Sequence, residues 1–214
     1  MSPLMHDFTG ERVLVFGGGA VGARKSRRFA REAEVLVCSP EFAAESYGDA
    51  TLVRAAPGPE DVGDWLDRVG PALAVAATDD GDLNAAIDEA ARERGILRNR
   101  ADEAGARDPG SVVVPATVRD DPVTVAVSTG GRSPALSRTL RREVESTIAG
   151  AGDMATLLGD LRPELKHQFD ETTRRNALRA VADSEDVWKA LDTESPKARQ
   201  VAIDVIEDLT GDSI

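Results

Sequence analysis

The chain has 214 residues, 30% charged and 41% hydrophobic, with 26 basic and 38 acidic side chains giving a formal charge of −12. That length can bury a sizeable core in one large or two small domains, and the balance of apolar and charged groups excludes a fibrous or disordered chain. One cysteine, Cys38, excludes an intrachain disulfide and a cysteine-based zinc cluster, and the acidic balance argues against a global electrostatic footprint for nucleic acid or anionic lipid.

Taken in chain order, Val13 to Phe16 is a continuous apolar run ending in three glycines, the pattern of a strand buried on both faces of a parallel sheet. Val21 to Arg31 turns helical. Glu34 to Cys38 predicts a second buried strand, Thr51 to Arg54 a weaker third, and Pro59 to Val69 a short helix. Ala72 to Ala77 is the next apolar run, after which Asp79 is the expected cap of a helix through Arg94, stopped by Gly95. Ile96 to Asn99 supplies another strand, so residues 11–99 alternate strand and helix as a doubly wound α/β unit does. Beyond residue 110 the rhythm changes. Ser111 to Val118 and Pro122 to Thr129 are β-rich and separated by Arg119-Asp120-Asp121-Pro122, an expected antiparallel excursion. Ser133-Pro134 starts a helix to about Ile148. The rest reads as helices broken at Gly150-Ala-Gly152, near Asp183-Ser184 and at Ser195-Pro196. The expected partition is a Rossmann-type domain over 1–112, a small α+β middle segment over 113–149 and a helical domain over 150–214.

Gly17-x-Gly19-x-x-Gly22 follows the first strand and opens the first helix, in the order Gly17, Gly18, Gly19, Ala20, Val21, Gly22. The first glycine permits a tight turn, the second lets a pyrophosphate approach the backbone, and the third allows close helix–strand packing. The pattern therefore predicts a dinucleotide site. An NAD site commonly carries an acid at the tip of the second strand. Here the tip is Cys38-Ser39-Pro40 and the nearest acid is Glu41. Ser39 suits ribose or phosphate, and Arg24 or Lys25 could serve a phosphate, so NADP stays open beside NAD; both cations also fit a plain helix surface.

Val13 to Lys25, Ala76-Ala-Thr78-Asp79-Asp80 with Asn84, Asn99-x-x-Asp102, and Val127-Ser128-Thr129-Gly130-Gly131-Arg132-Ser133-Pro134 with Leu140-Arg141-Arg142 occur in this order. Together they resemble the precorrin-2 dehydrogenase / sirohydrochlorin ferrochelatase family, the module found alone or as the N-terminal part of siroheme synthase. The resemblance extends through Leu161 to Lys166 and Phe169, over nearly the whole chain. It implies a cytoplasmic homodimer with a Rossmann domain, a dimerisation segment and a helical C-terminal domain. It implies NAD-dependent oxidation of precorrin-2 to sirohydrochlorin, with ferrous iron insertion as a further step in some members. Gly17, Gly19, Ala20, Val21, Gly22, Ser39, Pro40, Thr78 and Asp79 would then hold the cofactor. Asp102 matches the family's catalytic aspartate. Asn99, Arg100, Ser128, Thr129, Gly130, Gly131, Arg132 and Ser133 would face the substrate. Thr129 stands where some relatives carry a phosphorylatable serine.

Chemistry fits that implication. Dehydrogenation sheds a proton as well as a hydride, and a carboxylate beyond the last Rossmann strand is a suitable acceptor. On spacing alone Asp102 is one loop acid among many. A substrate with eight carboxylates needs a local positive patch, and residues 132–142 hold Arg132, Arg138, Arg141 and Arg142 and no acid. Arg138, Arg141 and Arg142 fall on one helical face, equally a surface or interface stripe. Arg100 and Arg107 flank Asp102. A macrocycle brings its own nitrogen ligands, so no protein metal cage is expected. His6 and His167 lack ligand spacing, Cys38 reads as core, and Trp65 and Trp188 as packing residues.

Two other classes fit parts of the pattern: an NAD(H)-sensing regulatory module, and a chelatase or tetrapyrrole carrier without the redox step. A sensor has no need of an aspartate beside carboxylate-binding arginines. No stretch approaches the roughly 18 to 20 apolar residues of a membrane span, and the start shows no secretory pattern, so the expected location is the reducing cytoplasm. Of the 26 basic residues only four are lysine (Lys25, Lys166, Lys189, Lys197), and with the high acid content this resembles proteins of salt-loving prokaryotes.

Overall fold

The computed structural model describes residues 3–102, 111–193 and 197–212. The chain divides into two compact units, Met1–Val114 and Pro115–Ile214.

In the first unit, β1 (Arg12–Phe16), α1 (Ala20–Phe29), β2 (Glu34–Ser39), β3 (Thr51–Arg54), a 3-10 turn at Pro59–Asp61 leading into α2 (Val62–Val69), β4 (Leu73–Ala76), α3 (Gly81–Glu93) and β5 (Leu97–Arg100) follow one another. All five strands are parallel, in the order β3-β2-β1-β4-β5. Alternate residues of each strand feed opposite faces. Val13, Val15, Val37 and Val75 pack with Ala23 and Phe29 of α1. Leu14, Phe16, Cys38 and Ala74 pack with Val62 and Leu66 of α2 and Ile87 of α3. Burial on both faces is why these strands read as continuous apolar runs. A buried ion pair, Arg98 Nε to Asp88 at 2.9 Å, ties β5 to α3.

Two expectations need correction here. Asp80, not Asp79, caps α3: its carboxylate accepts from the backbone N–H groups of Asp82 and Leu83 at 2.9 and 3.1 Å. β4 ends at Ala76, and residues 77–79 are used in leaving the sheet, so the second aspartate reaches the cap position. Ser111 to Val114 likewise do not begin the antiparallel excursion. Ser111 bridges Arg98, and the Val112 N–H donates to the Arg98 carbonyl at 2.8 Å, while Val112 and Val114 pack on the first unit's core.

The second unit contains β6 (Ala116–Asp120), β7 (Val123–Val127), α4 (Pro134–Thr147), α5 (Ala151–Gln168), α6 (Glu171–Asp183), α7 (Glu185–Asp192) and α8 (Ala198–Thr210). β6 and β7 form an antiparallel ribbon. β6 runs through Arg119 and Asp120, leaving only Asp121-Pro122 as the turn. Ser133 caps α4 as expected, accepting from the Leu136 N–H at 3.2 Å. The glycine break has two parts: Gly150 takes φ +80°, and a Cβ on Gly152 would lie 2.4 Å from the Asp121 carbonyl oxygen. The break at Phe169 carries no glycine or proline; Asp170 makes it by capping α6 through Thr172 and Thr173. Helices α5 to α8 share a core of Met154, Leu161, Leu165, Val181, Val187 and Ile206. The expected cap at Ser195-Pro196 lies outside the described residues. Among those described, no helix is long and apolar enough to cross a membrane.

Candidate active site

A doubly wound sheet opens a crevice beyond the carboxyl ends of its strands where the strand order reverses, here between β1 and β4. The loops after β1, β2, β4 and β5 carry the residues that matter.

Each glycine after β1 answers a separate constraint. Gly17 sits at φ +111°, and a Cβ there would lie 2.3 Å from the Ala77 carbonyl oxygen, so the turn presses on the exit of β4. On Gly22 a Cβ would lie 1.9 Å from the Gly17 carbonyl oxygen, which is the close helix–strand packing expected of the third glycine. Gly18 is also held: its Cβ would meet the Glu41 carbonyl oxygen at 2.2 Å. Tyr47, buried, donates from its hydroxyl to the Gly18 carbonyl and accepts from the Ala43 N–H at 3.0 Å. Sequence reasoning missed both Gly18 and Tyr47; three consecutive glycines where the pattern needs two were the available signal.

Gly19 is different. A Cβ on it would meet nothing within 4 Å. It forms the N-cap of α1, where no side chain caps the helix and no acid occupies the first turn. Exposed Gly19 and Ala20 with half-buried Val21 thus leave backbone N–H groups and the positive end of the helix dipole facing open space. This donor set fits the pyrophosphate of a dinucleotide.

At the tip of β2, Ser39 is buried and Pro40 exposed. Beside them, at the end of β3, Arg54 donates to the Pro40 carbonyl at 3.0 Å and stands 5.9 Å over the Phe42 ring. Arg54 is a cation beside the tip of β2 that sequence spacing did not single out, because only strand pairing brings Arg54 opposite Ser39. Of the two cations considered for a phosphate, Arg24 is exposed, whereas Lys25 donates to Asn99 Oδ1 at 2.8 Å and so serves the fold.

Beyond β4 and β5, the structure brings together Thr78, Asn84, Arg100 and Asp102. Arg100 grips Asp102 with two bonds, Nε to Oδ1 at 3.2 Å and Nη2 to Oδ2 at 2.7 Å. The Asp102 side chain is 31% exposed. The Arg100 guanidinium holds its carboxyl below the usual aspartate range. Because the folded value is depressed, this pair contributes stability above the ordinary aspartate pKa of about 4, lost as pH falls through the lower folded value. Asp79 is exposed. Asn99 is buried with both ends of its amide engaged, by Lys25 and by the Val112 carbonyl at 2.8 Å. Arg107 lies outside the described residues.

In the second unit, Thr129 closes the turn before α4. Its hydroxyl bonds the Ser133 carbonyl at 3.1 Å and the Ser137 hydroxyl at 3.0 Å. Gly130 and Gly131 take φ +63° and +81°, and Ser128 and Arg132 are exposed. Arg138 and Arg142 are exposed on α4, while Arg141 donates to the Thr117 carbonyl at 3.4 Å and to Glu145 at 3.1 Å.

The remaining singled-out residues are packing or surface groups. Cys38 is core, its thiol pushed up to about 11 by burial. Trp65 and Trp188 pack against the two cores. Exposed His6 bonds Glu11 at 2.8 Å. Among the described residues, no three His, Cys, Asp or Glu side chains stand close enough to hold a metal.

Comparison with known proteins adds the family. Residues 4–116 match a family model described as putative NAD(P)-binding, and residues 120–147 one described as sirohaem biosynthesis protein central. The chain is 33% identical to the precorrin-2 dehydrogenase of Methanosarcina barkeri, with 95% of this chain and 92% of that protein covered. It is 37% identical over 82% of its length to the siroheme synthase of Azotobacter vinelandii, of which it spans 38%. A solved structure, SirC, a precorrin-2 dehydrogenase, superposes with a TM-score of 0.67 over 97% of this chain and all of that one, at 23% identity, a likeness of fold. On the near full-length match, the chain belongs to the precorrin-2 dehydrogenase family.

Proposed function

We propose that this protein oxidises precorrin-2 to sirohydrochlorin with NAD+ in siroheme biosynthesis, acting as a cytoplasmic homodimer. The observation that carries the reading is the pairing, in one unit, of an open helix N-terminus at Gly19 with an ionised carboxylate, Asp102, at the neighbouring strand exits.

When bound, NAD+ supplies the hydride acceptor. Gly19, Ala20, Val21 and Gly22 would hold its pyrophosphate through backbone N–H groups, Ser39 and Pro40 would border the ribose, and Thr78 and Asp79 would border the nicotinamide end. Asp102, kept ionised by Arg100, takes the proton that the substrate sheds as its C–H hydride departs. Arg100 is the natural competitor for a substrate carboxylate. Its engagement there would loosen its hold on Asp102 and make the carboxylate a stronger base at the moment of need. Arg132, Arg138, Arg141 and Arg142 meet further carboxylates, with Ser128 to Ser133 shaping the turn before them. Self-association through β6, β7 and α4 is supported by their burial: among 24 residues only Val118 is buried, and Leu136 is 49% exposed.

The test is an anaerobic assay with precorrin-2 in high-salt buffer, the solvent its acidic composition suits. NAD+-dependent appearance of sirohydrochlorin by absorbance is expected; no conversion at saturating NAD+ defeats the reading. Adding ferrous iron to the same assay decides whether metal insertion follows.

A further inference from the structure

The tip of β2 lacks the acid that holds a ribose hydroxyl in many dinucleotide sites, and Ser39 and Pro40 stand there instead. Ser39 exposes 6% of its surface, yet its hydroxyl has no hydrogen-bond partner among the described residues. None of those residues seals an unsatisfied side-chain polar atom away from water, so this hydroxyl keeps an opening to solvent. It also borders the glycine turn, since a Cβ built on Gly18 would lie 2.9 Å from the Ser39 Cβ. A nearly buried alcohol with no partner beside a phosphate-binding turn is a group that a ligand can satisfy.

The cation beside that alcohol is held in place. Strand register sets Arg54, the last residue of β3, opposite Ser39. Its guanidinium donates to the Pro40 carbonyl and lies over the Phe42 ring, which packs on the first unit's core and meets Tyr47 edge to face at 5.8 Å between centroids. Carbonyl and ring together fix the guanidinium at the tip of β2. Arginine carries five N–H donors, and the Pro40 contact occupies one. Arg27, Arg92, Arg94 and Arg98 of the same unit each pair with a carboxylate. Among the described residues Arg54 pairs with none.

We infer that Arg54 and Ser39 form a receptor for a ribose 2′-phosphate, so that the crevice takes NADP+ as well as NAD+ and Arg54 sets the balance between them. The inference rests on the dinucleotide reading of the crevice proposed above. Selectivity is a difference of two affinities. A 2′-phosphate brings close to two negative charges and three acceptor oxygens, which suit the planar fork of a guanidinium. An acid at the tip of β2 would repel it, and neither Ser39 nor Pro40 supplies one. A 2′-hydroxyl gains only a neutral bond to Ser39, about half as strong as a charge-assisted one.

The experiment measures the Kd of the purified protein for NAD+ and NADP+ by calorimetry, without substrate, at the lowest salt that preserves Tm, because salt screens an exposed ion contact. Adenosine 2′,5′-bisphosphate and 5′-AMP serve as fragments that differ only in the 2′-phosphate. Wild type is expected to bind NADP+ at least as tightly as NAD+, and the bisphosphate more tightly than 5′-AMP. Arg54→Gln is expected to weaken NADP+ by about tenfold or more and NAD+ far less. Arg54→Lys, which keeps the charge and loses the fork, is expected to fall between the two and guards against failure of the first variant to fold. Weaker binding of NADP+ than of NAD+ by wild type, or an equal loss of both nucleotides in the Arg54 variants, would overturn the inference. Turnover keeps the two failures distinct. A wild type that binds NADP+ through Arg54 but does not oxidise precorrin-2 sinks the functional reading alone, and one that oxidises precorrin-2 with NAD+ while rejecting NADP+ sinks the role of Arg54 alone.

Discussion

The parallel sheet of the first unit and the ribbon-and-helix segment of the second bury their apolar residues to very different extents. β1 and β4 have both faces covered by helices from the same unit, and all four residues of β4 are buried. α4 buries none of its fourteen, and a two-stranded ribbon does not stand alone in water. The difference teaches that one element set is specified by its own packing, whereas the other carries Leu136, Leu140 and Val144 on one helical face, the face proposed above to meet a second copy.

The contrast can be broken most forcefully at Gly22. Gly22→Ala puts a methyl 1.9 Å from a backbone oxygen, and overpacking of that kind costs about 1–3 kcal/mol, seen as a lower Tm along with lost NAD+ binding. Gly19→Ala sharpens it. At φ −80° alanine is unstrained and the new Cβ meets no protein atom, so Tm holds within about 0.5 kcal/mol of stability while NAD+ affinity by fluorescence titration falls. The same loss of Tm in both variants would mean that Gly19 serves the fold and not a ligand. Leu136→Glu should change monomer stability least of all, because the side chain is exposed, yet sedimentation should show the proposed dimer in the wild type and monomer in the variant. An unaltered dimer would move the interface elsewhere.

Much of the first unit was legible from its residues because a strand buried on both faces writes an unbroken apolar run, and because glycine is demanded where backbones touch. The misreadings were local. Which of two adjacent aspartates caps α3 depends on where β4 lets go, and Ser111 to Val114 are as β-prone as a strand while packing beside β5. At the site, Arg100 beside Asp102 could be read from proximity in sequence. Arg54 could not, since strand register alone sets it opposite Ser39, and Tyr47 reaches Gly18 across 29 positions. Asn84 was visible as part of a motif, but no spacing announces the three hydrogen bonds that tie its buried amide to Thr78.

The central claim, that a carboxylate held by Arg100 collects the proton of the oxidation, is tested most directly by Asp102→Asn. Asparagine keeps the shape and one acceptor oxygen but cannot take a proton. The account predicts NAD+ affinity within about twofold of wild type and a kcat for precorrin-2 oxidation lower by about 10²–10⁴, the contribution expected of a positioned base. Turnover equal to wild type would contradict it.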